Sequence, residues 1–280
     1  MSRIARAFET AKNEGRGALI AYVMAGDPTP EASEAYALAC ERGGADILEL
    51  GVPFTDPVAD GPEIQRAAQR ALVAGMNLRR GIGLVERIRR GSDVPIALMG
   101  YYNPIFAMGD EAFAERAAAA RVDGVIVPDL PPEEADGLRT ACRDRGLDLV
   151  FLVSPATDRE RAERIASLSS GFVYLVSRYG ITGTSERLSE DLSDRVAGLR
   201  KVSRMPVAVG FGISTPAHVR LLVRAGAQGA VVGSAIVREI GRGAPPDAIE
   251  SFVRKLATGL QTEPRTPEGF LPDESFRHLR

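Results

Sequence analysis

The stretch from residue 19 to residue 50 reads LIAYVMAGDPTPEASEAYALACERGGADILEL and contains two short apolar runs. The runs, at residues 19–24 and 47–50, have almost no polar breaks, which is typical of parallel strands covered on both faces. Between them, Thr29-Pro30 places an N-cap hydroxyl before a proline at the first helical position. Gly43-Gly44 then supplies the backbone conformation that ends a helix. The stretch therefore predicts a strand, a helix and the next strand.

The same unit recurs along the rest of the chain. Six more apolar runs lie at residues 94–99, 124–127, 149–153, 172–176, 207–209 and 230–232. Helix stops with glycine recur before several of these runs, at Gly124, Gly146 and Gly226. Eight such units predict an α/β fold, a (β/α)₈ TIM barrel with an extra N-terminal helix. A doubly wound open sheet is the alternative, but no glycine-rich fingerprint follows the first run.

The two ends of the chain differ from the repeating unit. Residues 1–15 carry apolar side chains at helical spacing and predict an amphipathic surface helix, not a secretory signal. Residues 261–280 contain three prolines among charged residues and predict a flexible tail after one barrel domain at residues 1–260. Because no run of about 18 apolar residues occurs, we expect a soluble, cytoplasmic protein without a membrane span.

The composition excludes several classes of function. With 35 basic and 37 acidic residues, the net charge of −2 argues against nucleic-acid binding. The three lysines, Lys12, Lys201 and Lys255, do not end a predicted strand, so a Schiff base is not expected. The two histidines, His218 and His278, fall on a helix and in the predicted tail, so a catalytic metal is not expected either. The sequence thus predicts no cofactor and no metal on this chain.

Glu49 is a carboxylate at the end of the second apolar run. By the alternation of a strand it shares a face with Ile47, which predicts that it points into the top of the barrel. A carboxylate in that position must be paired or must serve chemistry, and burial would raise its pKa toward neutrality. A structural glutamate satisfied by backbone donors is the alternative, but proton transfer is favoured.

Asp60 lies in a long loop, residues 51–62, just before a helix predicted to begin near Pro62. An N-cap role for this aspartate is the alternative interpretation. Two carboxylates at one barrel mouth favour an acid/base pair. A second long loop, predicted at residues 178–191, follows the sixth run, and long loops at this edge of a barrel are often functional.

Two glycine clusters follow the last two runs. They are Gly210-Phe211-Gly212 and Gly233-Ser234, the second leading into a short helix. Barrel enzymes often bind phosphate there, on free backbone N–H groups and a helix N-terminus. Gly183 is a candidate for a third backbone segment at the phosphate. The alternative is that these glycines form ordinary tight turns. The residues thus predict a phosphate-binding barrel that works by carboxylate acid/base catalysis.

Five segments also resemble a known family. Residues 48–62, LELGVPFTDPVADGP, are similar to the signature of the tryptophan synthase α subunit. The resemblance extends over about residues 1–258 and includes residues 25–28, 99–104, 127–134 and 210–214. It implies a lyase that cleaves indole-3-glycerol phosphate to indole and glyceraldehyde 3-phosphate in tryptophan biosynthesis. One position departs from the family pattern, because Tyr179 stands where a small residue is usual in the loop expected to close over substrate.

The resemblance also implies roles for individual residues. Glu49 would be the acid/base of the retro-aldol step, and Asp60 would bind the indole N–H and stabilise positive charge on the ring. Thr182 would approach Asp60 when the loop closes. The other implied substrate-binding residues enclose the indole, line the site or surround the phosphate, and they are Tyr22, Ile64, Met99, Tyr101, Tyr174, Gly183, Gly210, Phe211, Gly212, Gly233 and Ser234.

A partner is implied as well. Family members dock on a tryptophan synthase β subunit in an αββα heterotetramer, and pyridoxal phosphate belongs to that partner. The implied interface lies at the barrel mouth and comprises Asp56, Pro57, Asn103, Pro104, Asp129 and Pro131. Two alternative functions stay open at this stage, namely a catalytically weak regulatory or binding subunit and another phosphosugar-acting barrel isomerase.

Overall fold

Nine parallel strands alternate with helices in the computed structural model, which describes residues 1–176, 185–210 and 212–261, with backbone alone for residues 185–191. The strands are β1 (Ala18–Met24), β2 (Ile47–Gly51), β3 (Ile96–Met99), β4 (Gly124–Ile126), β5 (Asp148–Val150), β6 (Leu152–Val153), β7 (Val173–Val176), β8 (Val207–Gly210) and β9 (Gly229–Val232). Each of the eight apolar runs contributes at least one of them. The prediction of a (β/α)₈ barrel is confirmed.

The fifth apolar run forms two strands where the sequence predicts one. The strand order is β5-β4-β3-β2-β1-β9-β8-β7-β6, so β5 pairs with β4 and β6 pairs with β7. Only Phe151 separates β5 from β6, and its carbonyl accepts the N–H of Tyr174. The chain therefore changes partner at Phe151, and this change joins the two edges of the sheet into a barrel.

Twelve helices surround or cap the strands within the described residues. They are α1 (Arg3–Asn13), α2 (Pro30–Arg42), α3 (Pro62–Val73), α4 (Leu78–Ile88), α5 (Tyr102–Met108), α6 (Asp110–Ala119), α7 (Asp136–Asp144), α8 (Arg159–Leu168), α9 (Ser185–Val202), α10 (Pro216–Arg224), α11 (Ser234–Gly241) and α12 (Pro246–Ala257). The predicted caps are confirmed, since the hydroxyls of Thr29 and Thr215 accept the N–H groups of Ala32 and His218. None of these helices is long and apolar enough to span a membrane.

The predicted loop at residues 178–191 is wrong in its second half. Helix α9 begins at Ser185, so residues 185–191 are helical. The spacing of Leu188, Leu192 and Val196, four residues apart, is the physical reason, because it matches a helix face. Residues 177–184, which include Tyr179, Thr182 and Gly183, lie outside the described residues.

Helix α1 closes the lower end of the barrel. Its residues Ile4 and Phe8 are buried against the residues that fill the barrel, and Phe8 packs on Phe172 with ring centroids 5.7 Å apart. Gly124, predicted as a helix stop, instead makes room for α1, since a Cβ there would lie 2.8 Å from Cδ1 of Ile4. Before β4, the left-handed backbone conformation that was expected at a glycine is adopted by Arg121, at φ 63°. With this end closed, ligands reach the barrel interior from the opposite, carboxyl end of the strands.

The end of the chain contributes one contact to this side of the barrel. Gln261, the first residue of the predicted tail, forms an isolated antiparallel bridge with Arg16. The rest of the predicted tail, residues 262–280, lies outside the described residues.

Candidate active site

A cavity of about 550 Å³, including its open mouth, lies at the carboxyl ends of the strands. Side chains from the barrel interior form its floor, and two helix N-termini face its upper part. The lining residues are Tyr22, Glu49, Asp60, Gly61, Ile64, Met99, Tyr174, Gly212, Ile213, Val231, Gly233 and Ser234. Both predicted carboxylates therefore lie in one cavity, at the end of the barrel where active sites of this fold are found.

Glu49 lies on the inner face of β2, as predicted. Leu48 and Leu50 pack in the layer between strands and helices, whereas Ile47 packs inside the barrel. The register places Glu49 beside Tyr22 of β1 and beside the small Ala97 of β3, which leaves space above the barrel core. Glu49 is only 1% exposed, and its Oε2 has no hydrogen-bond partner among the described residues.

This burial changes the protonation of Glu49. Loss of water raises the pKa of its carboxyl to about 8, and the negative charge of Asp60 acts in the same direction. The side chain therefore carries a proton at neutral pH. A neutral carboxylic acid with an unpaired oxygen facing a cavity can deliver a proton to a bound molecule. No backbone N–H of the described residues satisfies Oε2, which disfavours the alternative of a structural glutamate.

Asp60 does not cap helix α3, so the alternative interpretation of its role is wrong. Gly61 is the N-cap residue, and no side chain bonds the first turn of the helix. Instead, Oδ2 of Asp60 accepts the hydroxyl of Tyr101 at 3.1 Å, and that hydroxyl accepts the N–H of Ala59 at 2.9 Å. Burial raises the pKa of Asp60 to about 6, against the opposing effect of the Tyr101 hydrogen bond. Asp60 is therefore mostly ionised at neutral pH while Glu49 is protonated.

Two glycines make room for the two tyrosines of the cavity. A Cβ at Gly51 would overlap the hydroxyl of Tyr22, and a Cβ at Gly210 would overlap the hydroxyl of Tyr174. Both tyrosines are buried, and burial raises the pKa of each hydroxyl well above its usual value. Gly210, predicted at the phosphate, lies outside the cavity lining because Tyr174 covers it. Tyr101 also lies outside the lining and reaches the site through its bond to Asp60.

The upper part of the cavity is suited to an anion. Gly233 is the N-cap of α11 and has no side chain to cap the helix, so no N-cap side chain competes for the first N–H groups. Gly212, at φ 75°, and Ser234 line the same part of the cavity. The helix dipole attracts negative charge to this position. Phe211 lies outside the described residues.

Three lining residues were missed by sequence reasoning. Gly61 is one of them, and the Gly61-Pro62 pair at the start of α3 was an available signal for a helix N-terminus. Ile213 and Val231 are apolar residues beside the anion region, and no local pattern distinguishes them from core residues. The cavity thus has a second helix N-terminus, that of α3, besides the predicted one.

The residues of the implied partner interface lie around the mouth of the barrel, after β2, β3 and β4. Asp56, Asn103 and Asp129 are exposed, and the Asp129 carboxylate accepts the N–H of Tyr102 at 2.9 Å. Two large apolar side chains in the same region are also exposed, Val58 at 85% and Phe106 at 68%.

The geometry agrees with comparisons with known proteins. A sequence model of the family "Tryptophan synthase alpha chain" matches residues 8–263. The tryptophan synthase alpha chain of Citrifermentans bemidjiense is 47% identical over 263 residues, which are 93% of this chain and 98% of the relative. The chain belongs to the tryptophan synthase alpha chain family. The function of this family is the alpha reaction of tryptophan biosynthesis, so the chain is a carbon–carbon lyase.

Solved structures agree with the family assignment. Tryptophan synthase subunit alpha from Legionella pneumophila strain Paris superposes with a TM-score of 0.85 at 36% identity, covering 92% of this chain and 98% of the other. A chain of tryptophan synthase from M. tuberculosis, in an open form with BRD0059 bound, gives a TM-score of 0.85 at 34% identity, covering 93% and 99%. The alpha-chain barrel is thus shared over nearly the full length of both structures.

Metal ligands and lysines do not gather in this alpha-chain site. Within residues 1–176, 185–210 and 212–261, no three histidine, cysteine, aspartate or glutamate side chains come together as metal ligands would. Lys12, Lys201 and Lys255 are exposed and lie outside the cavity lining. The groups that the cavity offers for proton transfer are carboxyls and tyrosine hydroxyls.

The raised pKa of Glu49 predicts how stability depends on pH. In the unfolded chain Glu49 titrates near its ordinary value of about 4.3. Between that value and about 8 the folded protein binds one proton more than the unfolded chain, so this group lowers stability as pH rises. Glu49→Gln removes the effect. We expect wild type to lose up to about 1.4 kcal/mol per pH unit relative to Glu49→Gln.

Urea unfolding of both proteins at several pH values across this window measures the difference. Glu9→Gln is the control, because it makes the same substitution at an exposed glutamate on α1, away from the cavity. A free-energy difference between wild type and Glu49→Gln that stays constant with pH would contradict the raised pKa.

Proposed function

We propose that Glu49 and Asp60 perform the alpha reaction as an acid/base pair, cleaving indole-3-glycerol phosphate to indole and glyceraldehyde 3-phosphate. The observation that carries the proposal is the pairing of a buried, protonated Glu49 with an ionised Asp60 in one cavity. Two carboxyls whose pKa values are set apart by their surroundings are the usual arrangement for such chemistry. Family membership identifies the substrate, and the cavity contains the two carboxyl groups that act on it.

The reaction begins with proton transfer from Glu49 to C3 of the indole ring. The ring then carries positive charge delocalised onto N1, and the Asp60 carboxylate accepts the N1–H and stabilises that charge. Glu49, now ionised, takes the proton of the hydroxyl on the adjacent glycerol carbon. The bond between that carbon and C3 breaks, its electron pair restores the indole, and the hydroxyl carbon becomes the aldehyde. Glu49 ends the cycle protonated, and the indole ring itself serves as the electron acceptor.

The two ends of the substrate are held by different parts of the cavity. Tyr22, Ile64, Met99 and Tyr174 enclose the indole between the carboxyls. Backbone N–H groups of Gly212, Gly233 and Ser234 bind the phosphate at the N-terminus of α11. In this proposal Gly183 and Phe211 also belong to the phosphate site, and Thr182 approaches Asp60. Tyr101 and Gly210 act indirectly, by holding Asp60 and by making room for Tyr174.

The partner of this chain is a tryptophan synthase β subunit in an αββα heterotetramer. Pyridoxal phosphate belongs to that subunit, and this chain carries no cofactor of its own. The docking surface is the barrel mouth, formed by Asp56, Pro57, Asn103, Pro104, Asp129 and Pro131. The exposed Val58 and Phe106 add apolar area to this surface. Similarity to chains from tryptophan synthase structures supports this assembly.

The first test is Glu49→Gln. The amide keeps the size of the side chain but cannot exchange a proton, so turnover should fall by about 10⁴-fold or more, at the upper end of what general acid/base catalysis contributes. Indole release from indole-3-glycerol phosphate is the measurement. Asp148→Asn should keep turnover within about twofold, since this carboxyl lies far from the cavity. More than a tenth of wild-type turnover in Glu49→Gln would refute the assignment.

The pH profile is the second test. Because Asp60 must be ionised and Glu49 protonated, kcat/KM should be highest between about 6 and about 8 and fall on both sides. The Tyr101 hydrogen bond lowers the pKa of Asp60. Removing it in Tyr101→Phe should raise that pKa and move the acidic limb to higher pH. An acidic limb that stays in place, or moves to lower pH, would show that Asp60 does not control it.

Docking of the partner is tested with Asp56→Ala. If contact at Asp56 positions the loop that carries Asp60, activation of the alpha reaction by a β subunit should fall about tenfold in this variant, within the usual range of coupling between sites. Basal activity should change little. Asp93→Ala is the control, an exposed aspartate at the opposite end of the barrel. Unchanged activation in Asp56→Ala would remove this residue from the docking surface.

A further inference from the structure

The segment after β1 contains a buried carboxylate that the proposed mechanism does not use. Asp27 is 1% exposed, and its two oxygens accept Nε and Nη2 of Arg70 at 2.7 and 2.8 Å. This two-point contact between a carboxylate and a guanidinium fixes orientation as well as distance. The loop after β1 and helix α3 are therefore held in one relative position.

Helix α3 connects this ion pair to the catalytic carboxylate. Asp60 immediately precedes the N-cap of α3, and Arg70 lies in the last turn of the same helix. A helix transmits displacements along its length because its backbone is hydrogen-bonded throughout. Asp60 is thus held at two points, directly by the Tyr101 hydroxyl and, through α3, by Asp27.

The same guanidinium also lies at the end of α11. A Cβ at Gly241, the last residue of α11, would be only 3.0 Å from Nη2 of Arg70. A cation at the carboxyl end of a helix is favourable for the helix dipole. Helix α11 packs against α3 and β1, and Gly233 and Ser234 at its other end line the anion region. Arg70 belongs to α3 and lies against the end of α11, so it links the two helices that carry the site.

We propose that Asp27 and Arg70 are positioning residues for the alpha reaction, which set the distance between Asp60 and the phosphate-binding end of α11. The inference rests on the proposed function, since it assigns the two ends of one substrate to these two elements. Substrate must bridge α3 and α11 with its indole and its phosphate, so their relative position determines whether both ends bind at once. Misplacement of about 1 Å at a reacting centre can cost about 10²-fold in rate.

A second two-point ion pair between an arginine and an aspartate serves as the control. Arg16 donates Nη1 and Nη2 to the two oxygens of Asp46, both at 2.7 Å, and both side chains are largely buried. This pair precedes β1 and β2 and so lies at the closed end of the barrel. It resembles the Asp27–Arg70 pair in chemistry and burial but contacts neither α3 nor α11.

The experiment compares two double variants, Asp27→Asn/Arg70→Met and Asp46→Asn/Arg16→Met. Each removes both charges at once, so neither leaves a buried charge unpaired. The measurements are Tm, kcat and KM for indole-3-glycerol phosphate, and Kd for inorganic phosphate by calorimetry. We expect kcat/KM to fall about 10- to 100-fold in the first variant, with weaker phosphate binding. In Asp46→Asn/Arg16→Met, kcat/KM and the Kd for phosphate should stay within about twofold of wild type even where Tm falls.

Gly241→Ala provides a test that does not depend on stability. Alanine favours a helix over glycine, and the new Cβ requires the Arg70 guanidinium to shift by only a few tenths of an ångström, so Tm should change little. We expect kcat/KM to fall severalfold. Gly83→Ala is its control, because a Cβ at this position in α4 meets no atom within 4 Å.

The outcomes separate this inference from the proposed function. A loss of less than fivefold in kcat/KM for Asp27→Asn/Arg70→Met, or a loss equal to that of the control pair, overturns it. An unchanged kcat/KM in Gly241→Ala also overturns it. If instead Glu49→Gln retains turnover, the proposed chemistry fails, while the phosphate affinities of the two double variants still report whether Arg70 positions α11.

Discussion

The rest of the site depends on a buried glutamate on the inner wall of a closed barrel, one oxygen of which has no hydrogen-bond partner in the part of the chain that the structure describes. Burying a carboxyl is costly, and the cost here is reduced because Glu49 holds its proton at neutral pH. That state requires a dry floor below the site. Helix α1 supplies it by filling the lower end of the barrel with Ile4 and Phe8. A helix at the opposite end of the barrel from the cavity thus contributes to the burial that raises the pKa of Glu49.

Around Glu49, large side chains on one strand fit against glycines on the neighbouring strand. Tyr22 stands beside Glu49 on β1, and its hydroxyl lies where a side chain at Gly51 would be. Tyr174 and Gly210 repeat the arrangement on the opposite part of the wall, between β7 and β8. In both cases a glycine at a strand end admits a tyrosine from the neighbouring strand. These glycines are therefore explained by the tyrosines they accommodate, not by direct contact with an anion.

The parts of the fold that local patterns determine could be predicted from the sequence. Apolar runs located the strands, hydroxyl–proline pairs located two helix starts, and alternation placed Glu49 on the inner face. The predictions fail where a segment far away in the sequence determines the local structure. The break at Phe151 depends on which strand pairs with each half of the run, and the role of Gly124 depends on Ile4, some 120 residues away. The contact of Gly210 with Tyr174 of the neighbouring strand is not visible in the sequence either, and the place of Gly210 at the phosphate stays a prediction.

The loop between β2 and α3 joins Asp60 to the surface around the barrel mouth. Within it, the N–H of Val58 donates to the Asp56 carbonyl, and the N–H of Asp60 donates to the Pro57 carbonyl. These bonds make the segment a compact turn, so a displacement at Asp56 moves Asp60 as well. Tyr101 holds the inner side of the turn through Ala59 and Asp60, whereas Val58 on its outer side is exposed. A protein that covers Val58 would therefore act on Asp60 through a segment that is already ordered, and it would need to move the turn without breaking the Tyr101 contact.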